Sequence, residues 1–143
     1  MLTARLVAQY LLCKSDPEIG DFISNLKLQK LVYYAQGFHL ALHGEKLFED
    51  KILAWEHGPV VESLYQEYKA SGSSAIPIPE GFDDSVLTSE NKELLDEVYM
   101  VYGQFSAWKL RNMTHSEEPW CKTERNSEIK PELMRSFFKK QLL

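Results

Sequence analysis

At 143 residues, with 44% hydrophobic and 26% charged side chains, the chain can bury one core without disulfides or a structural metal, which excludes wholesale disorder and predicts a single domain over 1–143. Its formal charge of −5 argues against nucleic acid as the partner of this domain, because a phosphate backbone is met by clustered Lys and Arg. Cys13 and Cys121 form no CxxC unit and read as free thiols of a reducing compartment. No run approaches the ~20 apolar residues that span a bilayer, so a cytoplasmic location is expected.

Thr3 is placed to cap a helix from Ala4 to about Cys13, and Lys14-Ser15-Asp16-Pro17 breaks it. A second helix begins near Ser24 or Asn25 and runs to about Leu42, with Gly44 suited to the left-handed position after it. Leu28, Leu31, Ala35, Phe38 and Leu42 fall on one stripe of this helix, and Leu26, Tyr33 and Leu40 on a second. A helix apolar on two sides is sandwiched between other elements, so this is the predicted central helix. Lys46-Leu47-Phe48 and Ile52 to Trp55 are extended candidates for a small hairpin or a pair of edge strands. Pro59 then suits the first position of a helix carrying Val60, Val61, Leu64, Tyr65 and Tyr68.

Ser71 to Ser89, with Ile76-Pro77-Ile78-Pro79 favouring an extended path, reads as a long surface loop. Thr88 caps a helix bearing Leu94, Leu95, Val98, Val101 and Tyr102, with Gly103 stopping it; further helices are expected from Ser106 to about Met113 and over about residues 131–140. The predicted fold is mainly α with a minor β component. It is a compact bundle of about five to six helices around the central one, with a two-stranded element near residues 46–55.

Catalytic signatures are missing. His39 and His43 are one helical turn apart but lack the intervening Glu of a zinc-protease helix and a third ligand. They border the core stripe and read as hydrogen-bonded structural residues. Cys121 and His115 have neither an orienting third residue nor an oxyanion site. There is no GxSxG, phosphate-cradling glycine loop or GxGxxG. No enzyme activity, metal or cofactor is expected.

Three stretches are candidates for recognition. On the central helix Lys27, Lys30 and Tyr34 share a narrow wedge, flanked by Gln29, Tyr33 and Gln36. Such side chains combine apolar area with directional polar ends and suit a partner surface; alternatively the tyrosines fill the core and their hydroxyls reach its edge. The second stretch, Ala54-Trp55-Glu56-His57-Gly58-Pro59-Val60, would carry a strand into a helix N-terminus whose free N–H groups could receive an anionic side chain. In the third, Thr114 and Glu117 have capping-box spacing and Trp120 reads as a core anchor.

Taken in order, Asn25-Leu-Lys-Leu-Gln-Lys-Leu-Val-Tyr-Tyr with Ala35 and Gly37, then Leu47-Phe48, Ile52, Ala54-Trp55 and Gly58-Pro59-Val60, and finally Thr114-His115 with Pro119-Trp120, resemble the SocA-like Panacea antitoxin domain, also described as phage-associated GepA-like proteins. The resemblance spans roughly Leu2 to Trp120. It implies an antitoxin of a bacterial toxin–antitoxin pair, often carried by prophages or mobile elements, that neutralises a protein toxin by direct contact. An alternative it implies is an adaptor delivering the toxin to an AAA+ protease, and a weaker one is autoregulatory DNA binding. The motif carries over onto Leu26, Lys27, Gln29, Lys30, Tyr33, Tyr34, Trp55, Gly58, Pro59, His115 and Trp120, and all of these but Leu26, together with His57, form the expected partner-binding set. The terminal segment with Phe137 and Phe138 lies outside the resemblance.

Overall fold

Local capping chemistry sets most helix boundaries. A computed structural model describes residues 1–142. Thr3 Oγ1 accepts the Leu6 N–H at 3.1 Å to open α1 (Ala4–Leu12), and Ser24 Oγ accepts that of Lys27 at 3.3 Å to open α2 (Asn25–His43), which Gly44 closes at φ 72°. After the short helix α3 (Glu62–Tyr68), Thr88 and Asn91 form a reciprocal capping box at the start of α4 (Ser89–Tyr102). Ser106 caps α5 (Ala107–His115), α6 is the single turn Glu118–Cys121, and Pro131 opens α7 (Pro131–Gln141). The described residues thus hold seven α-helices in a mainly helical fold. The additional one, α6, arises where Pro119 sits in a first turn.

α2 runs through the middle, packed against α1, α4, α5 and α7. Leu28, Leu31, Val32, Tyr33, Tyr34 and Ala35 are completely buried, as expected of a helix covered on several sides. Leu42 departs from the predicted core stripe. It is 53% exposed, because the last turn of α2 outruns its cover and Leu42 only borders a shallow groove with Val101 and Leu142. His39 Nδ1 lies 2.7 Å from the Glu45 carbonyl oxygen.

The β element is shifted from its expected place. β1 (Leu53–Trp55) pairs antiparallel with β2 (Gly58–Val60), Leu53 opposite Val60 and Trp55 opposite Gly58. Lys46 to Phe48 is no strand of this hairpin. The Leu47 carbonyl accepts the Leu2 N–H at 3.0 Å, and the Gln36 side chain takes the N–H of Leu47 at 2.7 Å while donating to the Phe48 carbonyl at 2.8 Å. A buried glutamine thereby satisfies backbone groups that a strand partner would otherwise serve. Pro59 accordingly lies in β2, and α3 starts only at Glu62. The expected anion-receiving helix N-terminus at Gly58-Pro59 is therefore not formed. Nearby, the Val61 N–H donates to Gln29 Oε1 at 2.9 Å.

Residues 72 to 88 follow an irregular path pinned by buried Ile76, whose N–H donates to the Ile23 carbonyl at 2.9 Å. α7 closes the core: Phe138 packs edge-on to Tyr33 at 5.4 Å and to Phe38 at 4.8 Å. Its ring lies on the backbone of α2 at Gly37, where any Cβ would overlap it. Among the described residues, no helix is long and apolar enough to cross a membrane.

Candidate partner-binding site

The expected site residues divide into two shells. Lys27, Gln29, Lys30, Tyr33 and Tyr34 are all buried on α2. Lys27 Nζ donates to the Gly103 carbonyl at 2.6 Å, tying α2 to the end of α4. Gln29 spans Asn25 Oδ1 at 2.9 Å and the Val61 N–H. Lys30 is fully buried and Nζ donates to the Pro59 carbonyl at 3.1 Å. Gly58, at φ 107°, makes room for it: a Cβ there would stand 2.6 Å from Lys30 Cε and 2.7 Å from Thr114 Oγ1. Burial, reinforced by repulsion from the Arg111 guanidinium, brings the Lys30 ammonium down to about 7.

Tyr33 and Tyr34 converge on one carboxylate. Their hydroxyls donate to Glu117 Oε1 at 3.0 Å and Oε2 at 2.8 Å. Burial raises the Glu117 carboxyl to about 7 despite these two donors, and both phenols are raised by burial and by the neighbouring carboxylate charge. Tyr34 also stacks on Tyr102 at 3.9 Å. The capping-box role suggested by the Thr114/Glu117 spacing is not realised: Thr114 Oγ1 donates to the Arg111 carbonyl at 2.8 Å, and Glu117 turns inward to the tyrosines.

Trp55, His57, His115 and Trp120 reach the surface around the β1–β2 turn, with His57 exposed and the other three half-buried. Trp120 anchors the cluster by donating its indole N–H to the Trp55 carbonyl at 2.8 Å. One face of its ring stacks on His115 at 3.9 Å, and the Arg125 guanidinium covers it at 3.5 Å. Arg111 lies over Trp108 at 4.4 Å with Nε 3.4 Å from His57 Nδ1. Burial, and then Arg111, lowers the His115 imidazole below its ordinary range. Glu56, Arg111, His115, Trp120, Arg125 and Asn126 line an open cleft of about 570 Å³.

Arg111 and Arg125 were not singled out from sequence, and Glu117 was read only as a capping residue. Arg111 precedes His115 by one helical turn on α5, a spacing that puts both on one face and could have found it. Glu117 and Arg125 offer no such local signal, since their partners are far along the chain or on backbone carbonyls.

A helical domain organised on one buried, polar central helix, with a surface cleft of basic and aromatic side chains at the β-turn, is the class these features define. Residues 28–121 match the model of the family described as antitoxin SocA-like, Panacea domain, and the chain belongs to that family. Antitoxin SocA of Caulobacter vibrioides (strain NA1000 / CB15N) is 33% identical over 128 residues, covering 82% of this chain and 68% of that protein. No solved structure matches. Family membership supports an antitoxin role and implies, in general terms, a toxin as partner.

Proposed function

We propose that this chain neutralises a cognate protein toxin by binding it directly, without catalysis. The observation that carries this reading is membership of an antitoxin family. The structure adds support in the surface cluster of Trp55, His57, His115 and Trp120, because solvent-reaching aromatic and imidazole groups beside a concave site are what protein interfaces use as anchors. In this reading Gln29, Lys30, Tyr33, Tyr34, Gly58 and Pro59 act from below, holding the β1–β2 turn and α6 in place through the contacts described above, while Lys27 fixes the end of α4.

The test is coexpression with the product of the adjacent gene. Rescue of growth together with copurification is the expected result; failure of both sinks the proposal. Following the partner's half-life in the same strains separates neutralisation by contact, which leaves it unchanged, from delivery to an AAA+ protease, which shortens it.

A further inference from the structure

Helix α5 joins two surfaces of different character. Its C-terminal half supplies Arg111 and His115 to the basic cleft. Its N-terminal residue Ala107, with Phe105 before it, lines a groove of about 580 Å³ shared with Ile19, Phe22, Leu26 and Lys27. Between the two stands Trp108, 55% exposed, within 5.8 Å of His57. Ile19 and Phe22 are likewise exposed, at 78% and 42%. Exposed apolar groups gathered beside a groove mark an interaction surface more than scattered ones do.

The cleft is basic on a chain whose formal charge is −5. Among the described residues neither Arg111 nor Arg125 forms a salt bridge. Arg125 is held by the carbonyls of Trp120 and Thr123 at 2.6 and 2.7 Å, and Arg111 by Asn112 Oδ1 at 2.9 Å. His115 Nε2 is buried without a hydrogen-bond partner. Glu56 also lines the cleft and is the one carboxylate there. Anchored guanidinium groups with donors to spare are suited to carboxylates.

Resting on the antitoxin reading above, we infer that α5 is the spine of the toxin-docking surface and that it receives a toxin segment with carboxylates for Arg111 and Arg125 and apolar side chains for the Ile19/Phe22 groove. Along α5, Arg111 stands four residues beyond Ala107 at the groove, roughly 6 Å at 1.5 Å per residue. A nucleic acid fits less well: both faces of the Trp120 ring are occupied, by His115 and Arg125, so a base has no platform there.

Two arms test this on the full chain. In the first, wild type, Arg111→Glu/Arg125→Glu and Lys46→Glu/Lys51→Glu are coexpressed with the product of the adjacent gene. The control lysines line a different recess, against α7, and carry the same charge change. At least a tenfold loss of copurification and of rescue is expected for the arginine pair alone, with an unchanged thermal melt. If the melt drops, Arg111→Gln/Arg125→Gln replaces it. Retained binding by the arginine variants overturns the inference while leaving the antitoxin reading intact; failure of wild type itself overturns that reading instead.

The second arm needs no toxin. Indole and arginine Nε resonances are followed while adding the peptide Leu-Phe-Gly-Gly-Glu-Glu, its Gln-for-Glu counterpart, or an oligothymidylate. Shifts of Trp108, Trp120, Arg111 and Arg125 with the acidic peptide alone, abolished by salt at about 0.5 M, are expected. No shift, an equal response to the neutral peptide, or a response to the oligonucleotide alone overturns the inference.

Discussion

Replacing Glu117 with Gln probes the buried seam between α2 and α6 through its proton. The wild-type carboxyl is raised from 4.5 to about 7 because it is buried among Tyr33 and Tyr34. Below pH 4.5 it is protonated in both folded and unfolded chains and has no effect on the balance. Between 4.5 and 7 the folded state holds the extra proton, so stability falls as pH rises through that window. Above it the full effect is in place: the rise from 4.5 to about 7, at about 1.36 kcal/mol per tenfold change in proton affinity, disfavours the folded state by about 3 kcal/mol. A glutamine keeps the shape, accepting one tyrosine hydroxyl and donating to the other oxygen, and has nothing to titrate. Urea unfolding followed by tryptophan fluorescence at pH 4, 5, 6, 7 and 8 measures both proteins. The difference in stability should move in favour of Gln by about 3 kcal/mol between the ends of the series, all other groups cancelling. A difference that stays constant with pH would refute the reasoning.

Lys30→Met should flatten a different window. The Lys30 ammonium is lowered from 10.5 to about 7, so the unfolded chain holds the extra proton between those values and wild-type stability rises with pH there; the methionine variant lacks this rise, and equal slopes between pH 7 and 9.5 would contradict it. Gly37→Ala adds a methyl into the Phe138 ring, and the overlap should cost about 2 kcal/mol or more, outweighing the gain of about 1 kcal/mol in helix propensity. The thermal midpoint checks it, and combination with Phe138→Ala should be less than additive; a raised midpoint in Gly37→Ala would show that the ring yields freely.

What was legible in the sequence was what neighbours decide. Thr3, Ser24, Thr88 and Ser106 each mark a helix start that the structure keeps, because a cap is satisfied within three residues. The central helix was visible from its two apolar stripes. The hairpin was misplaced because Gly58-Pro59 has the local look of a helix start, whereas its conformation is set by Lys30, which reaches the Pro59 carbonyl across 29 positions and needs the space that a side chain at Gly58 would fill. The Lys27/Lys30/Tyr34 wedge left recognition and core-filling open, and in the structure all three side chains are buried. Glu117 paired with both tyrosines across more than 80 positions, a distance over which no periodicity speaks.

The seating of Phe138 on Gly37 has a consequence for synthesis. The central helix leaves the ribosome early, yet its cover is encoded about a hundred residues later, beyond the segment that matches the family model. Until residues 131–141 emerge, the rings of Tyr33 and Phe38 lack the Phe138 ring that packs edge-on to both, and an interrupted chain would present part of this apolar stripe to the cell's quality control. Adding α7 and completing the core are therefore one event.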